Sequence, residues 1–208
     1  MLFLTDPWNP TGKNIPRDFL EEMLYRAGEI GCAVLLDQSF LPLSEGTAPP
    51  APELLRRFPH LVIVRSYTKI FSLPGLRMGC ALSSAEMIRR IRRQLPEWNL
   101  SSAAGCAMEA CARLAGRAPD KIFDREEAAK ERAYLTGALT ALGCRVYKSD
   151  TVFLLFRSVP ELYSRLLEQR ILIRDCSDFP GLGKGYFRIA VKDHFSNEKL
   201  IKHIGGAV

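Results

Sequence analysis

The sequence predicts an α/β protein, with a mostly parallel sheet flanked by helices and a smaller α+β domain after it. In the first half, short apolar runs alternate with segments of helical periodicity, as expected when helices cover both faces of a sheet. After Asn99, helical segments dominate and strand-like runs become fewer. We therefore expect one domain over residues 1–117 and a second over 118–208.

Four strands are predicted in the first domain. Continuous apolar runs such as CAVLLD are typical of strands that are buried on both faces. Apolar residues at helical spacing after Pro16 predict a helix between the first two strands. The four strand segments are LFLT, CAVLLD, LVIV and MGCALS.

The second domain is expected to begin with a long amphipathic helix, DKIFDREEAAKERAYLTGALTALG, that ends at Gly143. Glycine commonly follows the last turn of a helix. The remaining segments predict the strands RVYK, FLLF and YFRIAV and the helices PELYSRLLEQR and SNEKLIKHI.

Composition excludes several classes of protein. The chain of 208 residues is 47% hydrophobic and 25% charged, which is ordinary for a globular protein. No apolar stretch approaches the ~20 residues of a membrane span, and no basic segment precedes the first apolar run as in a signal peptide. Six scattered cysteines without a CxxC pair predict reduced thiols and no metal site.

The net charge of +6 raises the possibility of a nucleic-acid partner. The densest basic run is IRRIRRQ, in which Met87, Ile88, Ile91 and Leu95 recur at helical spacing. The arginines then fall on the opposite, solvated side of a helix. We expect no nucleic-acid partner.

Polar clusters follow three predicted strands of the first domain. DPWNPTG follows LFLT, DQSF follows CAVLL, and RSYTK follows LVIV. The carboxyl ends of parallel strands meet at one edge of a sheet, where ligands commonly bind. Three such clusters in succession predict a ligand site at this edge.

Four stretches resemble the fold-type-I pyridoxal-phosphate enzymes, the aspartate aminotransferase superfamily. They are NPTG, DQSF, SYTKIFSLPGLRMG and YFRIAV, and their order and spacing match over essentially the whole chain. Within the superfamily, QRILIRDCSDFPGL and YFRIAV look like threonine-phosphate decarboxylases of cobalamin biosynthesis, and histidinol-phosphate aminotransferases are near relatives. The resemblance implies pyridoxal phosphate as the cofactor, a phosphorylated amino-acid substrate, and a cytoplasmic homodimer without a membrane partner.

The resemblance assigns the central roles to Lys69 and Asp37. Lys69 would be the Schiff-base lysine and would move protons at the substrate α-carbon, with a pKa lowered by partial burial and a cationic neighbour. Asp37 would hold a protonated pyridine nitrogen, since a carboxylate at the end of an apolar strand needs a partner. An N-cap aspartate and a surface lysine are the alternatives without a cofactor.

Other residues are assigned to the cofactor by the same resemblance. Asn9 would donate to the ring oxygen, although NPTG also suits a simple turn. Arg77, Ser66 and Thr68 would bind the cofactor phosphate, the arginine through forked hydrogen bonds. Gly75 and Gly79 would allow close approach of the backbone.

Three residues depart from the usual pattern of the family. Phe40 stands where many members have a tyrosine that donates to the ring oxygen, which favours the decarboxylases over the histidinol-phosphate aminotransferases. Ser39 replaces the usual alanine beside the pyridine ring, and its hydroxyl needs a partner. Trp8 stands where the nearest relatives have asparagine.

Two late arginines are assigned to the substrate. Arg188, in YFRIAV, matches the arginine that binds the substrate α-carboxylate in the superfamily. Arg174, which closes the apolar run ILI, would bind the substrate phosphate, or else is a surface residue at a strand end.

The resemblance also implies that a segment preceding Met1 in such enzymes supplies a phosphate-binding turn, a residue stacked on the pyridine ring, and further strands. Three hypotheses therefore stay open: a decarboxylase of O-phosphothreonine, an aminotransferase of the histidinol-phosphate type, and a non-catalytic fragment that binds no cofactor.

Overall fold

The computed structural model describes residues 1–45, 51–117 and 122–208. It divides into two compact units: Met1–Trp8 with Asn14–Asp124, and Asn9–Lys13 with Arg125–Val208. The domain boundary expected at residue 118 lies outside the described residues. The short segment Asn9–Lys13 belongs to the second unit although strand LFLT, just before it, belongs to the first.

The first unit contains a four-stranded sheet in the order β1-β2-β3-β4. Strands β1 to β3 are parallel, and β4 runs antiparallel to β3. The predicted α/β class with a mostly parallel sheet is confirmed. In chain order the elements are β1 (Leu2–Thr5), α1 (Arg17–Glu29), β2 (Val34–Asp37), α2 (Ala51–Arg57), β3 (Leu61–Ser66), β4 (Gly79–Leu82), α3 (Ala85–Arg92) and α4 (Ser102–Arg117).

The core of the first unit lies where α1 and α2 pack against the sheet. Helix α1 begins after Pro16, with Asp18 in its first turn, and its apolar stripe is buried. The buried residues that form this core are Ile15, Leu20, Leu24, Ala27, Val34, Leu36, Ala51, Leu54, Phe58, Leu61 and Ile63.

The basic run IRRIRRQ forms helix α3 and the turn after it. Ser84 caps the helix by accepting a hydrogen bond from the Met87 backbone N–H. The arginines of the run are exposed, while Ile88 and Ile91 are half-buried, as the helical spacing predicts. Leu95 does not extend this stripe, because the helix ends at Arg92 and the leucine is exposed.

The second unit is a four-stranded antiparallel sheet in the order β5-β6-β8-β7 with three helices. The long helix α5 ends before Gly143, whose φ of +78° fits the predicted helix terminus. The elements are α5 (Arg125–Ala141), β5 (Arg145–Val146), β6 (Phe153–Arg157), α6 (Leu162–Glu168), β7 (Arg174–Asp175), β8 (Tyr186–Ala190) and α7 (His194–Gly205).

The helices of the second unit cover one face of its sheet. Leu154, Phe156, Phe187 and Ile189 of β6 and β8 are buried in one cluster with residues of α5, α6 and α7. Side chains alternate along a strand, so Arg188 lies on the opposite face of the sheet. This face carries the candidate substrate residues.

Within the described ranges, no helix is long and apolar enough to cross a membrane. The same residues contain no group of three metal-ligating side chains.

Candidate active site

The carboxyl ends of β1, β2 and β3 meet at one edge of the first sheet. The register pairs Thr5 with Asp37 and Asp37 with Val64. Asp37 ends β2 and Ser66 ends β3, so the clusters DQSF and RSYTK begin at the same edge. The geometry predicted for these two clusters is therefore present.

Asp37 is half-buried and is held by the turn that follows it. Its Oδ1 atom accepts a hydrogen bond of 2.8 Å from the Ser39 backbone N–H and a second from the Ser39 hydroxyl. The hydroxyl that distinguishes Ser39 from alanine thus has Asp37 as its partner. No cation lies within ion-pair distance of Asp37 among the described residues.

Lys69 lies among hydroxyl groups and one aromatic ring. Its Nζ donates to the Thr68 hydroxyl at 3.2 Å, and that hydroxyl lies 2.7 Å from the Ser66 Oγ. The amine also lies 5.6 Å from the centre of the Phe40 ring. Thr68 is buried, whereas Lys69 is exposed, so the partial burial expected for the lysine is not found in this chain.

The segment after Lys69 returns the chain to the sheet through Arg77 and Gly79. Arg77 has a φ of +50°, and its Nη1 donates to the Pro74 carbonyl at 3.1 Å. A Cβ on Gly79 would lie 2.6 Å from the Arg65 carbonyl oxygen, so the predicted close approach is real there. A Cβ on Gly75 would meet no described atom within 4 Å, so no close approach within the chain requires a glycine at that position.

The side chains of the first unit fit pyridoxal phosphate by their chemistry. A half-buried carboxylate without a counter-cation suits a protonated pyridine nitrogen, and an exposed amine without an acidic partner suits an aldehyde. The hydroxyls of Ser66 and Thr68 and the guanidinium of Arg77 are donors of the kind that bind phosphate.

Sequence reasoning missed the pair formed by Gln38 and Arg65. The buried Gln38 Oε1 accepts from Arg65 at 3.3 and 3.4 Å. Its Nε2 is buried and has no hydrogen-bond partner among the described atoms. Gln38 directly follows β2, and its place next to Asp37 was the signal that the sequence offered.

The NPTG segment is fixed within the second unit by the turn before β6. The Asp150 backbone N–H donates to the Gly12 carbonyl at 2.8 Å, and the Lys13 Nζ lies 2.7 Å from Asp150 Oδ2. Gly12 has a φ of +77°, and a Cβ there would lie 2.1 Å from the Ser149 Oγ. A glycine is therefore required for this fit.

Arg188 lies on the helix-free face of β8 and contacts Asn9. Its Nη1 donates a short hydrogen bond to the Asn9 Oδ1, and its guanidinium lies 5.1 Å from the centre of the Phe153 ring. Burial, together with the charge of Arg174, lowers the pKa of Arg188 from its usual value. The oxygen of Asn9 is occupied by Arg188, and its amide N–H groups remain as donors.

Arg174 and Arg188 lie directly opposite each other on β7 and β8. The Arg174 Nη2 lies 2.6 Å from the Asp178 Oδ2, and its guanidinium lies 5.6 Å from the centre of the Phe179 ring. Both arginines are near the buried Cys176. Burial raises the pKa of its thiol, and the two positive charges act in the opposite direction. The structure therefore places two guanidinium groups near each other on one face of the second sheet.

Arg174 also lines a cavity of about 370 Å³ together with Tyr163, Leu172, Ile173 and Asp175. Among the described residues β7 is the edge strand of its sheet, and this cavity lies beside it.

The family to which this fold belongs is shown by comparison with known proteins. Residues 1–204 match the aminotransferase class I and II family, and the chain belongs to that family.

The chain is similar to curated enzymes of two activities. It is 35% identical over 210 residues to the threonine-phosphate decarboxylase of Salmonella typhimurium, which covers 96% of this chain and 55% of that protein. It is 29% identical over 212 residues to the histidinol-phosphate aminotransferase of Methanosphaera stadtmanae, covering 97% of this chain and 54% of the relative. The chain thus spans about half the length of these relatives.

Solved structures of both kinds share the fold. The histidinol-phosphate aminotransferase of Clostridium acetobutylicum superposes with a TM-score of 0.89 at 27% identity, over 98% of this chain and 62% of that one. The L-threonine-O-3-phosphate decarboxylase of Porphyromonas gingivalis gives 0.86 at 26% identity, over 98% and 63%.

Proposed function

We propose that this protein takes part in the pyridoxal-phosphate-dependent decarboxylation of a phosphorylated amino acid, O-phosphothreonine. The observation that carries the proposal is the pair of opposed arginines on β7 and β8. Like charges that face each other across two strands repel, so this arrangement suits a ligand with two anionic groups. O-phosphothreonine carries a carboxylate and a phosphate.

In this proposal the first unit binds the cofactor. Pyridoxal phosphate, when bound, supplies an electron sink for the negative charge that forms at the substrate α-carbon. Asp37 keeps the pyridine nitrogen protonated, and Ser39 fixes the orientation of that carboxylate. Ser66, Thr68 and Arg77 bind the cofactor phosphate.

Lys69 has two roles in this proposal. Its amine would hold pyridoxal phosphate through the aldehyde group of the cofactor. Once CO2 has left, the same amine would supply the proton that the substrate α-carbon takes up. The Thr68 hydroxyl accepts a hydrogen bond from this amine and so holds it in position.

The arginines of the second unit bind the two anionic groups of the substrate. Arg188 binds the α-carboxylate and Arg174 binds the phosphate, each by charge-assisted hydrogen bonds. The Phe153 ring packs on the Arg188 guanidinium and limits its movement, which keeps the donor geometry fixed. Arg188 orients Asn9, whose amide N–H groups would donate to the cofactor ring oxygen.

An aminotransferase of the histidinol-phosphate type is the second candidate. Its support is the similarity to the enzymes from Methanosphaera stadtmanae and Clostridium acetobutylicum. There Lys69 would remove the α-hydrogen rather than replace a lost carboxylate. Phe40 favours the decarboxylase, because it cannot donate the hydrogen bond that tyrosine gives in many aminotransferases. As in the resemblance, the working form would be a cytoplasmic homodimer.

The two activities differ in their need for an acceptor. We expect the protein, with pyridoxal phosphate and O-phosphothreonine, to release CO2 in the absence of any 2-oxo acid. Strict dependence of turnover on a 2-oxo acid, with no CO2 released, would instead establish the aminotransferase. The Lys69→Ala variant serves as the control for uncatalysed decarboxylation by the free cofactor.

A further inference from the structure

The two opposed arginines differ in what neutralises them. Arg188 donates to the amide oxygen of Asn9, which carries no charge. Arg174 is paired at 2.6 Å with the carboxylate of Asp178. The positive charge of Arg174 is therefore already compensated within the chain, and that of Arg188 is not.

The turn after β7 presents Asp178 to Arg174. The Phe179 backbone N–H donates to the Cys176 carbonyl at 3.1 Å, and the Ser177 N–H donates to the Asp175 carboxylate at 2.9 Å. Asp178 and Phe179, consecutive in this turn, both contact the Arg174 guanidinium. The arginine is thereby held between a carboxylate and an aromatic ring.

We propose that Asp178 is a positioning residue that occupies the anion site at Arg174 until the substrate phosphate displaces it. This inference rests on the proposed function, since it concerns the phosphate of the same substrate. Asp178 acts through Arg174 and touches no reacting atom, so it is a positioning residue.

The physical basis is an exchange of one anion for another. When a ligand with a single negative charge binds Arg174, the interaction free energy gained is about equal to that lost when the Asp178 carboxylate leaves. A dianion attracts Arg174 and the neighbouring Arg188 more strongly than a monoanion does. Both side chains of the pair are largely exposed, at 48% and 62%, so the carboxylate can swing into solvent at small cost.

Asp178→Asn tests the proposal, because it removes the competing charge and keeps the shape. Asp175→Asn is the matched control: it removes one charge from the same strand end, at a residue that does not pair with Arg174. Calorimetric titration of inorganic phosphate and of O-phosphothreonine into the 208-residue chain gives the affinities. We expect Asp178→Asn to tighten both by about fivefold and Asp175→Asn to change them by less than about twofold.

The pH profile separates competition from a structural role. The second pKa of a phosphomonoester is about 6, so O-phosphothreonine changes from monoanion to dianion between about pH 5 and 7. The charged and titratable groups around Arg174 are Arg188, Asp175, Asp178, Cys176 and Tyr163. Burial keeps the cysteine uncharged in this range. The unsubstituted chain and Asp178→Asn should gain affinity in parallel over that interval, because a displaced carboxylate weakens binding of the monoanion and of the dianion by the same factor. A steeper gain in Asp178→Asn would show that the carboxylate stays beside the phosphate and would contradict displacement.

Three further results would each overturn the proposal. They are equal effects of Asp178→Asn and Asp175→Asn on the affinity for phosphate, weaker phosphate binding in Asp178→Asn, and no phosphate binding by any form. The proposed function is judged separately by CO2 release. If Asp178→Asn binds phosphate more tightly but no CO2 is released, the anion site stands and the decarboxylase assignment fails.

Discussion

Arg174 of β7 and Arg188 of β8 are direct cross-strand neighbours on the helix-free face of the second sheet. Two guanidinium groups in this relationship repel each other, and each has acquired a polar partner, Asp178 or Asn9. An anionic ligand with two charged groups would relieve the repulsion more completely than either partner does.

Alanine at each arginine should affect substrates differently. Each charge-assisted hydrogen bond contributes about 1.5–3 kcal/mol. Loss of either arginine should therefore lower the affinity for the substrate group that it binds by at least about tenfold. Arg188→Ala should impair every amino-acid substrate, whereas Arg174→Ala should impair O-phosphothreonine far more than threonine. Steady-state kinetics with both substrates measure this, and equal losses for the two substrates in Arg174→Ala would make that arginine structural.

The two glycines after Lys69 should respond oppositely to alanine. A Cβ at Gly79 meets the Arg65 carbonyl at 2.6 Å, which forces the pairing of β3 and β4 apart. We expect Gly79→Ala to lower the free energy of unfolding by about 1–3 kcal/mol. Gly75→Ala, which meets nothing within 4 Å, should leave it unchanged within about 0.5 kcal/mol. Denaturant titration of both variants measures these changes. Similar free energies of unfolding for Gly79→Ala and Gly75→Ala would refute the steric explanation.

The buried Glu131 of α5 links this helix to α7 within the second unit. Its carboxylate accepts from the Asn197 Nδ2 at 2.8 Å and lies 2.9 Å from the His194 Nδ1. Asn197→Ala leaves this carboxylate short of a donor, so we expect a loss of about 1–3 kcal/mol in the free energy of unfolding. Glu198→Ala, at an exposed position of the same helix, is the control. A loss no greater than that of the control would mean that the network contributes nothing measurable.

Asp193 should give α7 a pH dependence at acid pH. Hydrogen bonds from the Ser196 backbone N–H and hydroxyl lower the pKa of this N-cap carboxyl below its usual value. Because its pKa is lower in the folded state, Asp193 makes its full contribution to the free energy of unfolding above the unfolded pKa of about 3.9. This contribution is lost as the pH falls through the folded pKa. Asp193→Asn should therefore unfold more easily than the parent at pH 6, with a difference that shrinks toward pH 2. A difference constant over this range would exclude the carboxylate as its cause.

Much of the fold could be predicted because its signals are local. Apolar runs fix the positions of β1 to β4, and polar residues at the strand ends place Asp37 and Ser66 at one edge. Asn9–Lys13 could not be assigned to the second unit from the sequence, because the hydrogen bonds that hold it come from Ser149 and Asp150, far along the chain. The same limit applies to the pairing of Arg174 with Arg188, since register between strands depends on their tertiary association.

The exposure of Lys69 also could not be predicted from the sequence. A motif specifies which residue carries the amine, whereas burial depends on everything packed around it. Likewise, the sequence showed that the Ser39 hydroxyl needed a partner but did not identify Asp37, because the hydrogen bond depends on the turn after β2.

Cofactor binding by Lys69 is the central claim, and one spectroscopic measurement tests it most directly. Pyridoxal phosphate added to the 208-residue chain should produce the absorbance band of a Schiff base near the visible edge, and borohydride should fix the cofactor on Lys69 for detection by mass spectrometry. Lys69→Ala should lose the band, and the exposed control Lys130→Ala should keep it. No band in the unsubstituted chain, or an equal band in Lys69→Ala, would contradict the account and favour a protein that does not use this cofactor.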